Sequence, residues 1–211
     1  MIQPALRLLG RPSSINVKKV LWLCEELQLP VAHEPHGSGF QSALPAGFEA
    51  LNPNRLVPVI VDGDFVLWES NTICRYLAGR EGRTDLLPAE PRARARVEQW
   101  MDWQTTQLNI AWRYAFMSIV RRSPAHVDAQ AVAASIADWH RHMRILERQL
   151  EATGGHAADA RFTLADVALG VSTHRWMATP MERPSLPAVQ AYYERLSARP
   201  AFVKHVRDSP P

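Results

Sequence analysis

Cysteine is scarce in this sequence, with Cys24 and Cys74 the only two in 211 residues. They make neither a C-x-x-C redox pair nor part of a metal-ligand cluster. Both fall in stretches of helical periodicity, so the expectation is two buried free thiols in a reducing compartment and no metal site. A dominant charge is missing as well. The formal net charge is +3, and the basic residues are scattered rather than gathered in a tract, which gives no call for nucleic acid as a partner. Arg92, Arg94 and Arg96 fan around the first turns of a helix and read as a solvated face, without the interleaved aromatics of a nucleic-acid platform. No apolar run reaches the length of a membrane span, and the opening MIQPALRLLG lacks the basic leader and apolar length of a signal peptide. These absences predict a cytoplasmic protein with no membrane partner. What remains is an ordinary globular balance, 46% hydrophobic and 21% charged, on a chain long enough for one large core or two small ones.

The periodicity changes along the chain. Ala5 to Leu9 reads as a short strand closed by Gly10 and Pro12. From Ser14, the residues Val17, Val20, Leu21, Cys24 and Leu27 recur at helical spacing until Pro30. Val31 to Pro35 reads as a second strand, and His36 to Gly47 as a loop rich in Gly, Ser, Ala and Pro. Pro58 to Val61 and Phe65 to Trp68 flank Asp62, Gly63 and Asp64, which makes a hairpin. Glu69 to Ala78 returns to helical period. After Ala78 no strand signal survives. Val97, Met101, Leu108, Ala111 and Ala115 share one face of a long helix. Val132, Ile136, Trp139, Met143, Leu146 and Leu150 form a strong amphipathic stripe that ends at Gly154 and Gly155. Three shorter helices follow, near Leu164 to Met177, Leu186 to Ser197 and Pro200 to Val206. The boundaries are an α/β domain over 1–80, a linker over 81–91 and an all-helical domain over 92–211.

Three segments carry polar groups suited to chemistry. In the run from Arg11 to Trp22 (RPSSINVKKVLW), Ser13 and Ser14 stand where a strand gives way to a helix. Serine there serves as a helix cap. The same geometry serves a ligand: a helix N-terminus offers free amides and partial positive charge. A hydroxyl aimed at a thiol sulfur favours the thiolate, and such surroundings lower a thiol pKa from about 8.5 toward or below neutrality. In the run from Leu51 to Ile60 (LNPNRLVPVI), Pro58 opens a strand where its missing amide is tolerable. A cis bond before it would leave the Val57 amide and carbonyl for a ligand's backbone. In the run from Trp68 to Ile73 (WESNTI), Glu69 and Ser70 begin a helix. They are ordinary caps, and they also suit the ammonium and carboxylate of a γ-glutamyl group.

Together these segments resemble the glutathione transferase superfamily, in its serine-type, theta/phi-like bacterial form. The resemblance covers nearly the whole chain. It implies a thioredoxin-like N-terminal domain of βαβ-ββα order followed by an all-α domain. SINVKKV (14–20) looks like the segment whose first residue activates the glutathione thiol, which makes Ser14 the catalytic hydroxyl, Asn16 a supporting polar group and Ser13 the near alternative. Val57 and Pro58 match the cis-proline site, and Glu69 and Ser70 match the γ-glutamyl site. FTLADV (162–167) looks like the family's capping motif, and its S/T-x-x-D spacing assigns Thr163 and Asp166 to folding rather than to the site. STHRW (172–176) and RPAF (199–202) also look familial. Two departures stand out. Leu56 replaces a long polar residue before the Val-Pro pair, with Arg55 at a usual glycine position, and the loop FQSAL offers only Gln41 to the glycyl end where relatives supply His or Lys.

The resemblance implies glutathione as co-substrate, no cofactor, a homodimer, and a small electrophile or organic hydroperoxide as second substrate. Trp112, Arg113, Tyr114 and Phe116 follow one another along a helix, so they point to several faces. Some of them line an acceptor pocket on this reading, with Arg113 or Arg175 receiving an anionic substituent; core packing and a salt bridge are the competing roles. A non-enzymatic ligand carrier or interaction module of the same fold is the alternative function, because fold does not establish turnover.

Overall fold

Leu6 and Leu8 are buried on one face of the first strand while Arg7 on the other faces solvent; Leu9, on Arg7's face, is buried with Phe48 and Val59. The computed structural model describes residues 6–36, 44–209 and 211. Strand β1 (Leu6–Leu9) leads through helix α1 (Ile15–Glu26) to β2 (Val31–Glu34), which lies parallel to it. Pro30 and a left-handed Gln28 (φ 55) end the helix run. Strands β3 (Val59–Asp62) and β4 (Phe65–Trp68) form an antiparallel hairpin turned at Gly63 (φ 65), and α2 (Ser70–Arg80) follows. The sheet order is β2-β1-β3-β4, with β1 and β3 antiparallel. Ladder pairing starts at Val59 rather than at Pro58, which has no N–H to give.

The chain divides into two compact units. One takes the chain up to Leu87 together with the segment from Pro200; the other runs from Pro88 to Arg199. The terminal segment differs from the sequence boundary, which counted it with the helical half. Helix α8 (Pro200–Phe202), extended by a π-type turn (Val203–Arg207), packs on α1. Phe202 meets Trp22 edge to face with centroids 4.9 Å apart, and Glu25 receives Lys204 Nζ at 2.7 Å and His205 Nε2 at 3.0 Å. Those contacts lie between residues about 180 positions apart, a pairing that local periodicity cannot report.

In the second unit, α3 (Pro91–Trp103) starts on Glu90, whose carboxylate accepts the amides of Arg92 and Ala93, with Pro91 in the first turn where it is tolerated. Arg92, Arg94 and Arg96 are exposed. The long helix expected through Ala115 is interrupted by a π-type turn (Gln104–Leu108) before α4 (Asn109–Ile119). Thr105 and Thr106 donate back to the carbonyls of Met101 and Asp102, the side-chain competition that bends helices. Helix α5 (Ala129–Thr153) buries Trp139, Met143, Leu146 and Leu150 and ends on left-handed Gly154. Helix α6 (Leu164–Ala178) is buried on every side from Leu164 to Trp176, as a helix without a polar face must be. Helix α7 (Pro187–Ser197) completes the unit; its first amides, at Ala188 and Val189, donate to buried Glu147. No helix among the described residues is long and apolar enough to cross a membrane.

Cys24 on α1 and Cys74 on α2 are buried and free, and burial pushes both thiols up to about 12. Neither is expected to react with a disulfide reagent at pH 8 in the native protein, and both are expected to react once urea unfolds it. Titration of released chromophore checks this; prompt native labelling would show that the α1–α2 packing opens.

Candidate active site

Three chain ends meet because of strand register. Leu9 lies opposite Val59, and Val59 lies opposite Trp68. The residues just after Leu9, just before Val59 and just after Trp68 therefore leave the sheet at one edge. Gly10 shows how close they come. It takes φ +154, and a Cβ added there would sit 2.5 Å from Val17 Cγ2 and 3.1 Å from Val57 Cβ. A side chain at this position would have to push α1 and the Val57 loop apart, so glycine is required for the convergence.

Ser14 occupies the N-cap of α1 in extended conformation (φ −80, ψ 124), and its side chain makes no capping hydrogen bond. The capping role is thus left vacant by the residue that stands in its position. Its main chain is engaged: the Ser14 amide donates to Arg11 O at 3.1 Å, and Lys18 N donates to Ser14 O at 3.0 Å. The half-exposed hydroxyl stands at the positive end of a twelve-residue helix. Ser13 and Asn16 are half-buried on either side of it in sequence.

The Val57–Pro58 bond is cis. Val57 makes no backbone hydrogen bond with another described residue. Asn52 braces the loop, donating to Leu56 O at 2.8 Å and accepting from Asn54 N at 3.0 Å. Glu69 is exposed and has φ 71, ψ 107, a sparsely populated backbone for a residue with a Cβ that costs about 1–3 kcal/mol. Its side chain makes no capping bond to α2. Ser70, buried, accepts from Lys19 Nζ at 3.4 Å, and Asn71 Oδ1 accepts from the same ammonium at 3.0 Å. Gln41 lies outside the described residues.

In the helical unit, three of the five acceptor candidates come together. The Arg175 guanidinium lies 4.5 Å from the Trp112 ring centre and 4.0 Å from that of Phe116. Arg113 is exposed. Tyr114 instead packs edge to face on His126 at 4.8 Å, and its hydroxyl accepts from Asp128 N at 3.4 Å, so it serves the connection into α5.

The first unit matches the family profile "Glutathione S-transferase, N-terminal domain" over residues 8–85, and the second matches "Glutathione S-transferase, C-terminal domain" over residues 129–195. The chain is 36% identical over 203 residues to the glutathione S-transferase GstB of Escherichia coli (strain K12), covering 95% of this chain and 97% of that one. The chain belongs to the glutathione S-transferase family. Glutathione S-transferase 3 of Zea mays is 34% identical over 214 residues, 97% of this chain and 95% of the relative. Among solved structures, the theta class glutathione S-transferase of the citrus canker pathogen Xanthomonas axonopodis pv. citri, with glutathione bound, superimposes with a TM-score of 0.86 at 37% identity, over 96% of this chain and 97% of that one.

Within this glutathione transferase, the two departures have structural consequences. Arg55 adopts φ 53, a left-handed backbone that costs a side-chain-bearing residue about 1–2 kcal/mol more than glycine. Leu56 is 63% exposed, so that position offers solvent an apolar side chain. Lys19, only 1% exposed, was not singled out from the sequence. Lysine normally marks the wet side of a helix; the one available signal was its place among Val17, Val20 and Leu21, inside the apolar run.

Proposed function

We propose that this glutathione transferase binds glutathione along the sheet edge and that Ser14 donates a hydrogen bond to its sulfur, holding it as thiolate. The observation that carries this reading is the Ser14 hydroxyl, which stands at a helix N-terminus without a capping bond. Asn16 supports it, with Ser13 beside it. Val57, ahead of Pro58, pairs its main chain with the cysteinyl backbone. Glu69 takes the γ-glutamyl ammonium, and Ser70 with the first amides of α2 takes the carboxylate. Because the Ser70 oxygen already accepts from Lys19, its own proton is directed to the ligand, and the ammonium adds charge of the right sign. Gln41 is the side chain assigned to the glycyl end. The thiolate then attacks an electrophilic carbon, forming a C–S bond while the leaving group departs with its electron pair. With a hydroperoxide it attacks the O–O bond, releasing the alcohol and leaving a sulfenic acid that a second glutathione converts to disulfide and water. Trp112, Phe116 and Arg175 are the core of the acceptor site. The protein acts in the cytoplasm as a homodimer, without a cofactor.

The test is a pH titration of the ultraviolet thiolate absorbance of bound glutathione, in wild type and Ser14→Ala. A lowered pKa that the mutant loses supports the reading. Saturable binding with an ordinary pKa would instead favour a ligand carrier or interaction module, and no binding would overturn the glutathione assignment. Lys19→Met is expected to weaken glutathione about tenfold by calorimetry, the scale of one charge-assisted hydrogen bond, while leaving the thiolate pKa of the bound fraction unchanged. A shifted pKa in that variant would mean that Lys19 acts on the sulfur instead.

A further inference from the structure

Arg175 stands apart from the other arginines of its unit. Arg183 donates to the carbonyls of Trp176, Thr179 and Met181 at the end of α6, and Arg195 donates to Gly155 O at 2.6 Å. Arg175 is 4% exposed, yet no carboxylate of a described residue lies within ion-pair distance of it. Its buried Nε has no hydrogen-bond partner, and no hydrogen bond joins its terminal nitrogens to any described residue. The ring faces of Trp112 and Phe116 are what it has instead.

Those faces compensate in part. A desolvated cation–π contact returns only part of what it costs to take a charge out of water. Nor does the neighbourhood supply a counter-charge: Arg121 lies over the Phe116 ring at 5.4 Å. Burial, with the like charge of Arg121, pushes the Arg175 guanidinium down to about 9. At neutral pH it is still a cation. It has five donors in a planar fork and spends none of them on another described residue.

The surroundings hold this fork in place. Trp112 Nε1 donates to Asn109 Oδ1 at 3.1 Å. Gln104 Nε2 donates to the same oxygen at 2.9 Å and to Ser172 Oγ, one turn before Arg175 on α6, also at 2.9 Å. The network ties the ring under the guanidinium to the helix that carries it. Such a fork, desolvated and fixed, matches a carboxylate bidentately.

We propose that Arg175, between Trp112 and Phe116, binds the carboxylate of an anionic acceptor substrate. The inference rests on the acceptor role given to this cluster above, and it chooses Arg175 over Arg113. Two matched electrophiles test it: 4-chloro-3-nitrobenzoate and 4-chloro-3-nitrobenzamide. In both, the glutathione thiolate forms the C–S bond at C4, and chloride leaves with the bonding pair. They differ in the charge of one substituent.

The readout is the ratio of kcat/KM for benzoate over benzamide, compared between wild type and Arg175→Gln, with Arg113→Gln as control. The ratio is expected to fall about tenfold in Arg175→Gln, mainly through KM for the benzoate, and to stay within twofold in Arg113→Gln. An unchanged ratio in Arg175→Gln would overturn the proposal and leave Arg175 a packing cation. If that variant does not fold, calorimetry on wild type decides, with the non-reacting pair 3-nitrobenzoate and 3-nitrobenzamide. Tighter benzoate binding, weakened in Arg175→Lys, supports the carboxylate site, and equal binding of the two overturns it. The wild-type calorimetry, set beside the thiolate titration, separates the two readings: Arg175-dependent preference for the benzoate with an ordinary thiolate pKa would sink the catalytic reading alone, and no preference for the benzoate with a lowered thiolate pKa would sink this one alone.

Discussion

Asp166→Ala is expected to cost about 3–5 kcal/mol of stability, the scale of leaving buried donors without an acceptor. Asp166 is fully buried at the start of α6. Its Oδ1 accepts from Ala157 N at 2.9 Å and from the Tyr192 hydroxyl at 3.0 Å, and its Oδ2 accepts from Thr163 N at 2.8 Å. One carboxylate thus joins the loop after α5, the capping box of α6 and helix α7. Removing it strands two amides and a phenol, each costing about 1–3 kcal/mol if water does not reach it. At about 2–4 °C per kcal/mol for a chain of this size, the thermal midpoint should fall by about 10 °C. Asp166→Asn keeps an acceptor and should lose less. Tyr192→Phe removes one donor together with its need for a partner, and should cost about 1 kcal/mol. Urea titrations of the three variants check the order. A loss under 1 kcal/mol for Asp166→Ala would mean that the loop re-pairs elsewhere. Since the role is structural, the protein that remains folded should hold bound glutathione at the wild-type thiolate pKa.

That motif was legible because its chemistry is local: a threonine and an aspartate three residues apart can satisfy a helix start by themselves. The hairpin and helices α1, α2 and α5 were legible for the same reason, since each announces itself by period and by Gly or Pro punctuation. Ser14, Val57, Pro58, Glu69 and Ser70 each stood at a junction between elements, where exposed backbone groups concentrate, and so drew attention singly. Their convergence was another matter. It depends on Leu9, Val59 and Trp68 standing in one row across three strands, which is a property of register and not of any segment. Lys19 was hidden for a related reason: a lysine reads as wet until α2 is placed against α1. The terminal helix was assigned by chain order, whereas Trp22, Glu25 and Phe202 assign it by packing. Likewise, the run from Trp112 to Phe116 carried aromatic and basic residues in equal suspicion. Only the meeting of α4 with α6 separated Trp112 and Phe116, which touch Arg175, from Tyr114, which touches His126.

Ser14→Ala is expected to shift the pH dependence of conjugation upward by about two units, toward the ordinary thiol value near 8.5. The sign follows from which form the hydroxyl favours. A donor to sulfur stabilises the thiolate and so lowers the pKa; removing it raises the pKa, and activity at low pH is lost first. If the wild-type thiol titrates at about 6.5, half is ionised at that pH, against about 1% of an unassisted thiol, a deficit of about fiftyfold in thiolate. The rate deficit should be smaller. A thiolate stabilised by two units is a weaker nucleophile by about six- to tenfold at a Brønsted slope of 0.4–0.5. The two effects together leave the mutant roughly five- to tenfold slower at pH 6.5 and no slower near pH 9, where the unassisted thiol ionises without help. The ratio of wild-type to mutant kcat/KM across that range, measured with a slow aryl chloride so that chemistry limits the rate, reads this directly. Ser14→Thr keeps a hydroxyl at the head of α1 and should keep the wild-type inflection. A ratio that stays constant with pH would mean that Ser14 positions glutathione without ionising it, and the free amides at the start of α1 would then be the groups that hold the anion.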